Sequence, residues 1–281
     1  MDVSHESQGE QTKLWNGPAG RSWVDAQPLL DQILKPFEDV LVAALSSESG
    51  SSVLDVGCGT GSTTLALARL CGPVGRCTGI DISEPMIAAA RARAERERTP
   101  VSFICADAQT YAFEPESVDA IVSRFGVMFF DDPARAFANL RRAARRGAEL
   151  RFVAWRSASE NPFMTTAERI AAPLLPNLPP RRPGAPGQFA FADDRRVRAI
   201  LEESGWTEID IRPLDLTCAL PEKKLISYVT RLGPVGLILQ EADERTRAQV
   251  VEAVRPAFDP YVQGTEVRFT AASWMGGARA A

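Results

Sequence analysis

A glycine-rich turn is the part of this sequence whose residue types and spacing could best bind a ligand. It reads Gly57-Cys58-Gly59-Thr60-Gly61, follows the apolar run 52–56 and precedes a helical pattern over 62–70. Glycines let the backbone approach a ligand closely, and a helix N-terminus presents unpaired N–H groups at the positive end of its dipole. Asp55 adds a carboxylate beside the turn, which repels a pyrophosphate but can attract an ammonium group. The turn is therefore predicted to bind a ligand with a positive group.

Two further carboxylates follow the next two apolar runs. Asp81 ends the run 77–81, and Asp107 comes just after the run 101–105. Open parallel sheets bind ligands outside the carboxyl ends of their strands, so the acidic residues are expected to share one site. A carboxylate there can accept hydrogen bonds from two neighbouring hydroxyl groups, and its charge strengthens them. The alternative is that Asp81 caps the helix starting near Ser83 and that Asp107 is an ordinary loop residue.

The elements that must position these residues alternate between strands and helices. Short apolar runs alternate with helical patterns over 51–156, and regular patterns return at 193–220 and 265–275. This alternation predicts an α/β fold with a mostly parallel sheet covered on both faces. Long irregular excursions in compact domains are often functional lids. The predicted organisation is an N-terminal helical lid segment at 1–50 and one domain at 51–281, with substrate-cap insertions at about 157–192 and 221–260.

The composition argues against several functional classes. The 281 residues include 36 acidic and 32 basic side chains, for a net charge of -4, which is unlike the basic footprint of nucleic-acid-binding proteins. No apolar run approaches the roughly 20 residues that span a bilayer, and the first residues lack the pattern of a signal peptide. A cytoplasmic protein is therefore expected. All but four of the basic residues are arginines, which indicates a GC-rich, bacterial genome.

Histidine and cysteine usage narrows the chemistry further. The single histidine is His5, near the N-terminus, so a Ser-His-Asp hydrolase or a His-ligated zinc enzyme is not expected. The cysteines form no CxxC pair, which predicts reduced thiols and no metal site. The five cysteines are Cys58, Cys71, Cys77, Cys105 and Cys218. Cys58 lies in the glycine turn, where it is expected to serve as a small residue that fills the tight turn.

Four motifs taken together resemble class I S-adenosylmethionine (SAM)-dependent methyltransferases. They are VLDVGCGTG at 53–61, GIDIS at 79–83, ADA at 106–108 and VDAIVS at 118–123, in the order of that family. The stretch SRFGVMFF at 123–130 is most similar to the branch that contains ubiquinone/menaquinone C-methyltransferases. The resemblance is strong over about 51–156 and weak beyond. It implies a Rossmann-like, mostly parallel seven-stranded sheet with helices on both faces.

The resemblance also implies which residues hold SAM and its product S-adenosylhomocysteine (SAH). Asp55 and the glycine turn would hold the amino-acid tail, Asp81 the ribose hydroxyls and Asp107 the adenine amino group. Ile82 and Met86 would pack on the adenine faces, although both equally fit an ordinary core. The implied cofactor-binding residues are Asp55, Gly57, Cys58, Gly59, Asp81, Ile82, Met86, Asp107, Ala108, Ser123, Arg124, Arg21 and Trp23.

The N-terminal segment carries two tryptophans and an arginine around a Gly-Pro turn, at residues 15–23. In methyltransferases of this type the N-terminal segment often closes over SAM. The resemblance then implies that Arg21 meets the SAM carboxylate and that Trp15 or Trp23 shields the sulfonium, because tryptophan faces attract cations. The alternative is that the tryptophans anchor a docked helix.

The implied reaction is in-line methyl transfer to a small, hydrophobic or aromatic metabolite. Alignment and exclusion of water can supply most of the rate of such a reaction. No general base is assigned; Asp131 is a candidate, and Arg124 is a candidate for stabilising an oxyanion. The apolar side chains of the two insertions favour a hydrophobic substrate pocket. Monomer and homodimer both remain open.

Two other functions stay in consideration. An NAD-dependent oxidoreductase on a similar sheet is disfavoured by Asp55 and by Ser62, which stands where the dinucleotide fingerprint has its third glycine. A SAM-binding protein that does not methylate is the second alternative.

Overall fold

The computed structural model describes residues 3–45, 50–182 and 184–281, and the side chains from residue 9 onward. The side chain of His5 and the whole of Pro183 therefore lie outside the described residues.

One sheet forms the centre of the fold. Its strands are β1 (Ser52–Val56), β2 (Arg76–Asp81), β3 (Ser102–Cys105), β4 (Val118–Arg124), β5 (Ala144–Trp155), β6 (Trp206–Pro221), β7 (Val262–Gln263) and β8 (Glu266–Ala280). Seven follow the order β3-β2-β1-β4-β5-β8-β6, and the short β7 pairs with β8. The first five strands are parallel, whereas β8 runs antiparallel to β5 and β6. The prediction of a Rossmann-like, mostly parallel sheet is confirmed.

Helices precede the sheet, connect its strands and fill its insertions. They are α1 (Val3–Asn16), α2 (Pro18–Asp25), α3 (Gln27–Ala43), α4 (Ser62–Cys71), α5 (Glu84–Glu97), α6 (Pro133–Ala143), α7 (Pro162–Ala171), α8 (Asp194–Glu203), α9 (Leu225–Arg231), α10 (Gly233–Glu241) and α11 (Glu244–Val254). The N-terminal region is helical, as the sequence predicts. The start of α6 follows the usual chemistry, since Asp132 accepts a hydrogen bond from the Arg135 N–H and Pro133 takes the first helical position.

Glycines shape two element boundaries. The last regular pattern was expected at 265–275, but β8 runs on to Ala280. Gly276 lies within this strand, where a Cβ would lie 2.2 Å from the Phe152 ring, so only glycine fits there. In the insertion predicted at about 221–260, the first helical stretch is divided between α9 and α10. Its break falls at Gly233, which adopts φ +67° and precedes a proline that lacks the N–H needed to continue a helix.

An aromatic cluster ties the N-terminal helices to the sheet. The Phe125 ring stacks on Trp155 with 3.9 Å between centroids, and Phe37 of α3 meets both rings edge-on. Phe37 is fully buried. Phe125 comes directly after β4 and has φ +61°, a left-handed conformation that is uncommon for a residue with a side chain. The packing of α3 therefore holds the strained end of β4 in place.

Candidate functional site

A pocket lies at the carboxyl ends of the parallel strands and is closed on one side by the N-terminal helices. It is the place where open parallel sheets bind their ligands. Of the residues assigned a role from the sequence, these line it: Asp55, Gly57, Cys58, Gly59, Asp81, Ile82, Met86, Asp107, Ala108, Arg124, Trp15, Trp23 and Asp131.

The glycine turn forms the floor of the pocket, and its first glycine has no room for a side chain. Gly57 has φ +68°, and a Cβ there would lie 2.6 Å from the Cα of Gly126, in the loop after β4. A Cβ at Gly126 would in turn lie 2.6 Å from the Val56 carbonyl oxygen. The loops after β1 and β4 are therefore in direct backbone contact, which fixes the shape of the floor.

Cys58 fills space within this turn. Its thiol is buried, and a Cβ at Gly79 of β2 would lie 2.8 Å from its Sγ atom. Burial and the nearby Asp81 carboxylate raise the pKa of the Cys58 thiol well above its usual value. The protonated thiol acts as a packing group and is unsuited to nucleophilic attack.

Asp81 is fixed by two backbone donors. Its Oδ2 accepts a hydrogen bond from the Gly59 N–H at 2.8 Å, and its Oδ1 accepts one from the Ser83 N–H at 2.9 Å. Burial raises the pKa of Asp81, and the backbone hydrogen bonds oppose that shift. Each carboxylate oxygen has capacity for another hydrogen bond, so this side chain can bind hydroxyl groups of a ligand while it fastens the glycine turn to α5.

Two buried polar atoms of the pocket have no hydrogen-bond partner among residues 9–45, 50–182 and 184–281. Asp55 is 1% exposed, and its Oδ2 accepts from the Thr64 hydroxyl at 2.7 Å, but its Oδ1 has no hydrogen bond. The hydroxyl of Thr63, in the first turn of α4, is likewise unpartnered. Buried polar atoms normally have partners, so these two fit a ligand that carries a donor and an acceptor. Burial raises the pKa of Asp55 to about 6, whereas Thr64 and Arg124 lower it.

Arg124 contributes a buried cation to the same wall. Its Nη1 lies 3.8 Å from Oε2 of Glu38 on α3, and that carboxylate also accepts from the Ser62 hydroxyl at the start of α4. Burial lowers the pKa of Arg124, while Glu38 and Asp55 oppose the shift. The guanidinium remains charged because its ordinary pKa is so high. It can therefore meet a negative group of a ligand.

A second acidic corner lies after β3. Asp107 accepts from the Gln109 N–H at 2.9 Å, and the Gln109 side-chain oxygen accepts from the Asp132 N–H at 2.8 Å. Burial and the nearby Asp107 raise the pKa of Asp131. Asp132 caps α6, so Asp131 is the better placed of these neighbours for proton transfer in the pocket.

The N-terminal lid segment is fastened to the loop after β2. The Asn16 amide donates to the Ile82 carbonyl at 3.0 Å and accepts from the Glu84 N–H at 2.8 Å. The Ser83 hydroxyl donates to the Trp15 carbonyl at 2.7 Å. A Cβ at Gly20 would overlap that same carbonyl, at 1.9 Å. These contacts set the Trp15 indole edge-on against its neighbouring aromatic rings, Trp23 and Phe129, over the pocket.

Two predicted residues do not line the pocket. The Ser123 hydroxyl is buried and donates to the Val56 carbonyl at 2.8 Å while accepting from the Gly126 N–H at 3.2 Å, so it joins the two loops of the floor. Arg21 is exposed, and its Nη1 donates to the Asn16 carbonyl oxygen at 3.5 Å. It is not among the residues that line the pocket.

Several residues at or beside the site were not identified from the sequence. Glu38 carries no motif, and only the packing of α3 brings it to Arg124. Asn16 stands between the tryptophans that the sequence emphasised, but its capacity to bridge a loop depends on tertiary contact. Thr63 and Gln109 follow predicted residues closely, so a search of the positions after each strand could have found them.

A second cavity of about 350 Å³ adjoins the first. The two share the side chains that separate them: Trp15, Trp23, Leu30, Leu34, Phe125 and Phe129. The second cavity lies between the N-terminal helices and the segments 157–192 and 221–260, and most of its lining is aliphatic or aromatic. A small apolar molecule would lie there next to whatever the strand-end pocket holds.

Similarity to known proteins covers mainly the strand-end region. The family described as a methyltransferase domain matches residues 53–147. An uncharacterized 37.1 kDa protein from a Streptomyces fradiae transposon is 34% identical over 141 residues, 47% of this chain and 41% of that protein. A demethylmenaquinone methyltransferase of Shouchella clausii is 33% identical over 104 residues, 37% of this chain and 44% of that protein. The chain spans only part of the length of these relatives.

Solved structures with the same fold cover more of the chain. The YcgJ protein of Bacillus subtilis superimposes with a TM-score of 0.59 at 16% identity, over 88% of this chain and 99% of that one. Phosphoethanolamine N-methyltransferase 2 of Haemonchus contortus, solved with SAH, gives a TM-score of 0.58 at 16% identity, over 94% of this chain and 59% of that one. At these identities the likeness establishes the fold.

The described residues contain neither a membrane-spanning helix nor a metal-binding cluster. None of their helices has the length and apolar character needed to cross a membrane. Within the same part of the chain, no group of three or more His, Cys, Asp or Glu side chains is arranged to hold a metal ion.

Proposed function

We propose that this chain, whose residues 53–147 match the methyltransferase-domain family, transfers a methyl group from SAM to a small hydrophobic or aromatic molecule. The observation that carries the proposal is the strand-end pocket with its unpartnered Asp55 oxygen, which opens directly beside an apolar cavity. The pocket supplies polar contacts for a charged cofactor, and the cavity supplies room for an apolar substrate.

The residues present fit SAM. Its ammonium would satisfy the free oxygen of Asp55, and its carboxylate would accept from the Thr63 hydroxyl and meet the Arg124 guanidinium. Its ribose hydroxyls would donate to the Asp81 carboxylate. Its adenine would lie between the apolar side chains after β2 and the acidic corner at Asp107. When bound, SAM supplies a methyl group already activated by the positive sulfur.

The protein's own contribution is alignment and exclusion of water. The backbone contacts between the loops after β1 and β4 keep the floor rigid, and Trp15 and Trp23 cover the boundary between pocket and cavity. An aromatic face attracts a cation, so these indoles favour the charged sulfur at that boundary. Positioning of this kind can supply a large part of a rate enhancement. If the substrate must lose a proton, Asp131 is our candidate to accept it, because its pKa is raised and its carboxylate is not engaged in holding the glycine turn or α4.

The substrate class rests on the second cavity. Pockets of a few hundred Å³ with mainly apolar walls and few polar groups are typical of sites for small apolar ligands. The net charge of -4 favours a small molecule over nucleic acid.

Calorimetric titration with SAH tests the cofactor assignment. Micromolar binding corresponds to a free energy of about 8 kcal/mol. Asp81→Ala should weaken SAH binding by about 1.5–3 kcal/mol, because hydrogen bonds to a charged group contribute that much. Asp119→Ala is the matched control, since Asp119 also accepts a backbone N–H, from Ser52 at 2.8 Å, but lies outside the pocket lining.

The same titration with NADH separates the main alternatives. Saturable NADH binding without SAH binding would favour an oxidoreductase, although the Asp55 carboxylate would repel a pyrophosphate at the glycine turn. If the protein binds SAH but forms no SAH from SAM with any of a panel of apolar substrates, a SAM-binding protein that does not methylate would be favoured. Equal SAH affinity in wild type and Asp81→Ala would contradict the assignment of the ribose site.

A further inference from the structure

The apolar cavity contains few polar groups that a substrate could meet. Its charged pair, Glu168 and Arg181, is mutually engaged, with the Arg181 Nε donating to Glu168 at 2.8 Å. Gln188 accepts from Arg181 at 3.2 Å and donates to the Met164 sulfur at 3.1 Å. Arg231 reaches the lining but is exposed. These groups are therefore occupied by one another or by solvent.

Tyr228 differs from them. It lies on α9 and lines the cavity, with its ring centroid 6.0 Å from that of Phe163. Leu225 and Val229 of the same helix are buried, so the helix is anchored and Tyr228 has a fixed place beside the cavity. Its hydroxyl has no hydrogen-bond partner within residues 9–45, 50–182 and 184–281, in contrast to the Ser22 hydroxyl, which accepts from Gln240 at 2.9 Å.

The chemistry of this hydroxyl is that of a donor. Burial raises the pKa of Tyr228 to about 12, so the phenol stays protonated at neutral pH. A neutral phenol offers one O–H donor. A single well-placed donor in an apolar cavity fixes the orientation of a flat ligand, and it penalises a ligand with no acceptor because the donor then loses its partner.

We propose that Tyr228 is a specificity-determining residue that donates a hydrogen bond to an oxygen of the substrate, and that the preferred substrate is an apolar ring compound bearing a carbonyl or similar acceptor. This inference rests on the proposed function for the identity of the cavity as the methyl-acceptor site. Tyr228 orients the substrate and has no assigned part in the chemical step.

A matched pair of probes tests the proposal. 1-Tetralone has a ring carbonyl, and tetralin is the same hydrocarbon without it. Binding of each is measured by calorimetry on full-length wild type, Tyr228→Phe and Tyr261→Phe, with and without saturating SAH. Tyr261 is the control because it also packs on Phe163, with centroids 5.1 Å apart, but does not line the cavity.

Wild type and Tyr261→Phe should both prefer tetralone to tetralin. Tyr228→Phe should lose about 2- to 12-fold in tetralone affinity, the equivalent of a net hydrogen bond of about 0.5–1.5 kcal/mol, with no loss for tetralin. A change in the ketone-to-hydrocarbon ratio is the decisive readout, because a merely structural effect would weaken both probes together.

Three results would overturn the proposal: no binding of either probe to wild type, equal affinity for the two probes, or an unchanged ratio in Tyr228→Phe. SAH binding is recorded in the same experiments. Retained SAH binding with an unchanged ratio would remove Tyr228 from substrate recognition and leave the methyltransferase assignment standing. A lost preference without SAH binding would retain Tyr228 as a ligand contact and remove the methyltransferase assignment.

Discussion

The strand-end pocket and the apolar cavity beside it are built in different ways. The pocket is made from loops whose backbones touch each other and whose carboxylates, such as Asp81, are fixed by backbone N–H groups. The cavity is enclosed by side chains from the N-terminal helices and the inserted helices, and its polar groups mainly pair with one another. A pocket fixed by backbone suits a constant cofactor, whereas a cavity shaped by side chains can be adapted to different substrates.

The largest expected effect comes from alanine substitution of two glycines that have nearly the same φ angle, one in each region. Gly57 in the pocket floor has φ +68° and a Cβ would lie 2.6 Å from Gly126, whereas Gly233 in the cavity wall has φ +67° and nothing within 4 Å. Alanine in the left-handed region costs about 1–2 kcal/mol, and forcing extra volume into a packed site adds about 1–3 kcal/mol. Gly57→Ala should therefore lower the free energy of unfolding by about 2–5 kcal/mol and abolish SAH binding. Gly233→Ala should lower it only by the backbone cost of about 1–2 kcal/mol.

Urea denaturation and SAH titration of both variants measure the two effects. Because the conformational strain is matched, the difference between the variants isolates the contact between the two loops. Equal losses of stability in the two variants would mean that the floor is no more rigid than the cavity wall, and the comparison would fail.

The buried Asp55 carboxylate provides the next largest expected effect. Its pKa in the folded protein, about 6, lies above its ordinary value of 3.8, so the folded state binds a proton more tightly between these values. Above about pH 6 the ionised carboxylate lowers the free energy of unfolding by its full amount, about 3 kcal/mol at most. This destabilisation is relieved as the pH falls toward 3.8. In Asp55→Asn this component of the pH dependence of unfolding should disappear.

SAH binding should show the complementary dependence, because an ammonium group prefers the ionised carboxylate. Wild-type affinity should fall as the pH drops below about 6, while Asp55→Asn should bind about 10- to 150-fold more weakly at pH 8 and vary little over this range. Glu168→Gln in the cavity wall should leave SAH affinity unchanged. A parallel pH profile in wild type and Asp55→Asn would place the ammonium elsewhere.

The sequence predicted the strand-end pocket better than the cavity, for a physical reason. Asp55, Asp81 and Asp107 lie at or just after the carboxyl ends of consecutive strands, so the parallel sheet itself brings them together once the strands are recognised. Their roles toward SAM remain predictions. Arg21 does not line the pocket, and its expected contact with the SAM carboxylate stays a prediction. The segment around it suggested a lid but gave no information on which side of α2 would face inward.

The residues that the sequence did not reveal depend on contacts between distant segments. Glu38 and Arg124 are 86 positions apart in the sequence, and they meet only because α3 packs across the sheet. Tyr228 lies in an insertion with no motif, and its unpartnered hydroxyl is visible only when its neighbours are placed. Such contacts leave no local period or spacing for a sequence analysis to detect.

The attachment of the N-terminal lid segment gives the smallest expected effect and links the two regions. Asn16 holds the segment to the pocket through two partly exposed hydrogen bonds to the loop after β2, whereas Gln240 of α10 makes one exposed hydrogen bond to Ser22, on the side of the cavity. A typical hydrogen bond contributes about 0.5–1.5 kcal/mol. Asn16→Ala should therefore cost about 1–2 kcal/mol and weaken SAH binding several-fold, and Gln240→Ala should cost about 0.5 kcal/mol or less, with SAH affinity unchanged.

Thermal unfolding and SAH titration distinguish the two attachments, with Lys13→Ala as an exposed control on α1. If Asn16→Ala alone weakens SAH binding, the lid segment moves with the pocket, and its tryptophans are held over the cofactor whatever the inserted helices do. If Gln240→Ala has the larger effect, the inserted helices hold the lid segment in place, and pocket and cavity would then open as one unit. The two hydrogen bonds of Asn16 to the loop after β2, against one for Gln240, favour the first result, in which substrate can exchange through the inserted helices while the cofactor stays enclosed.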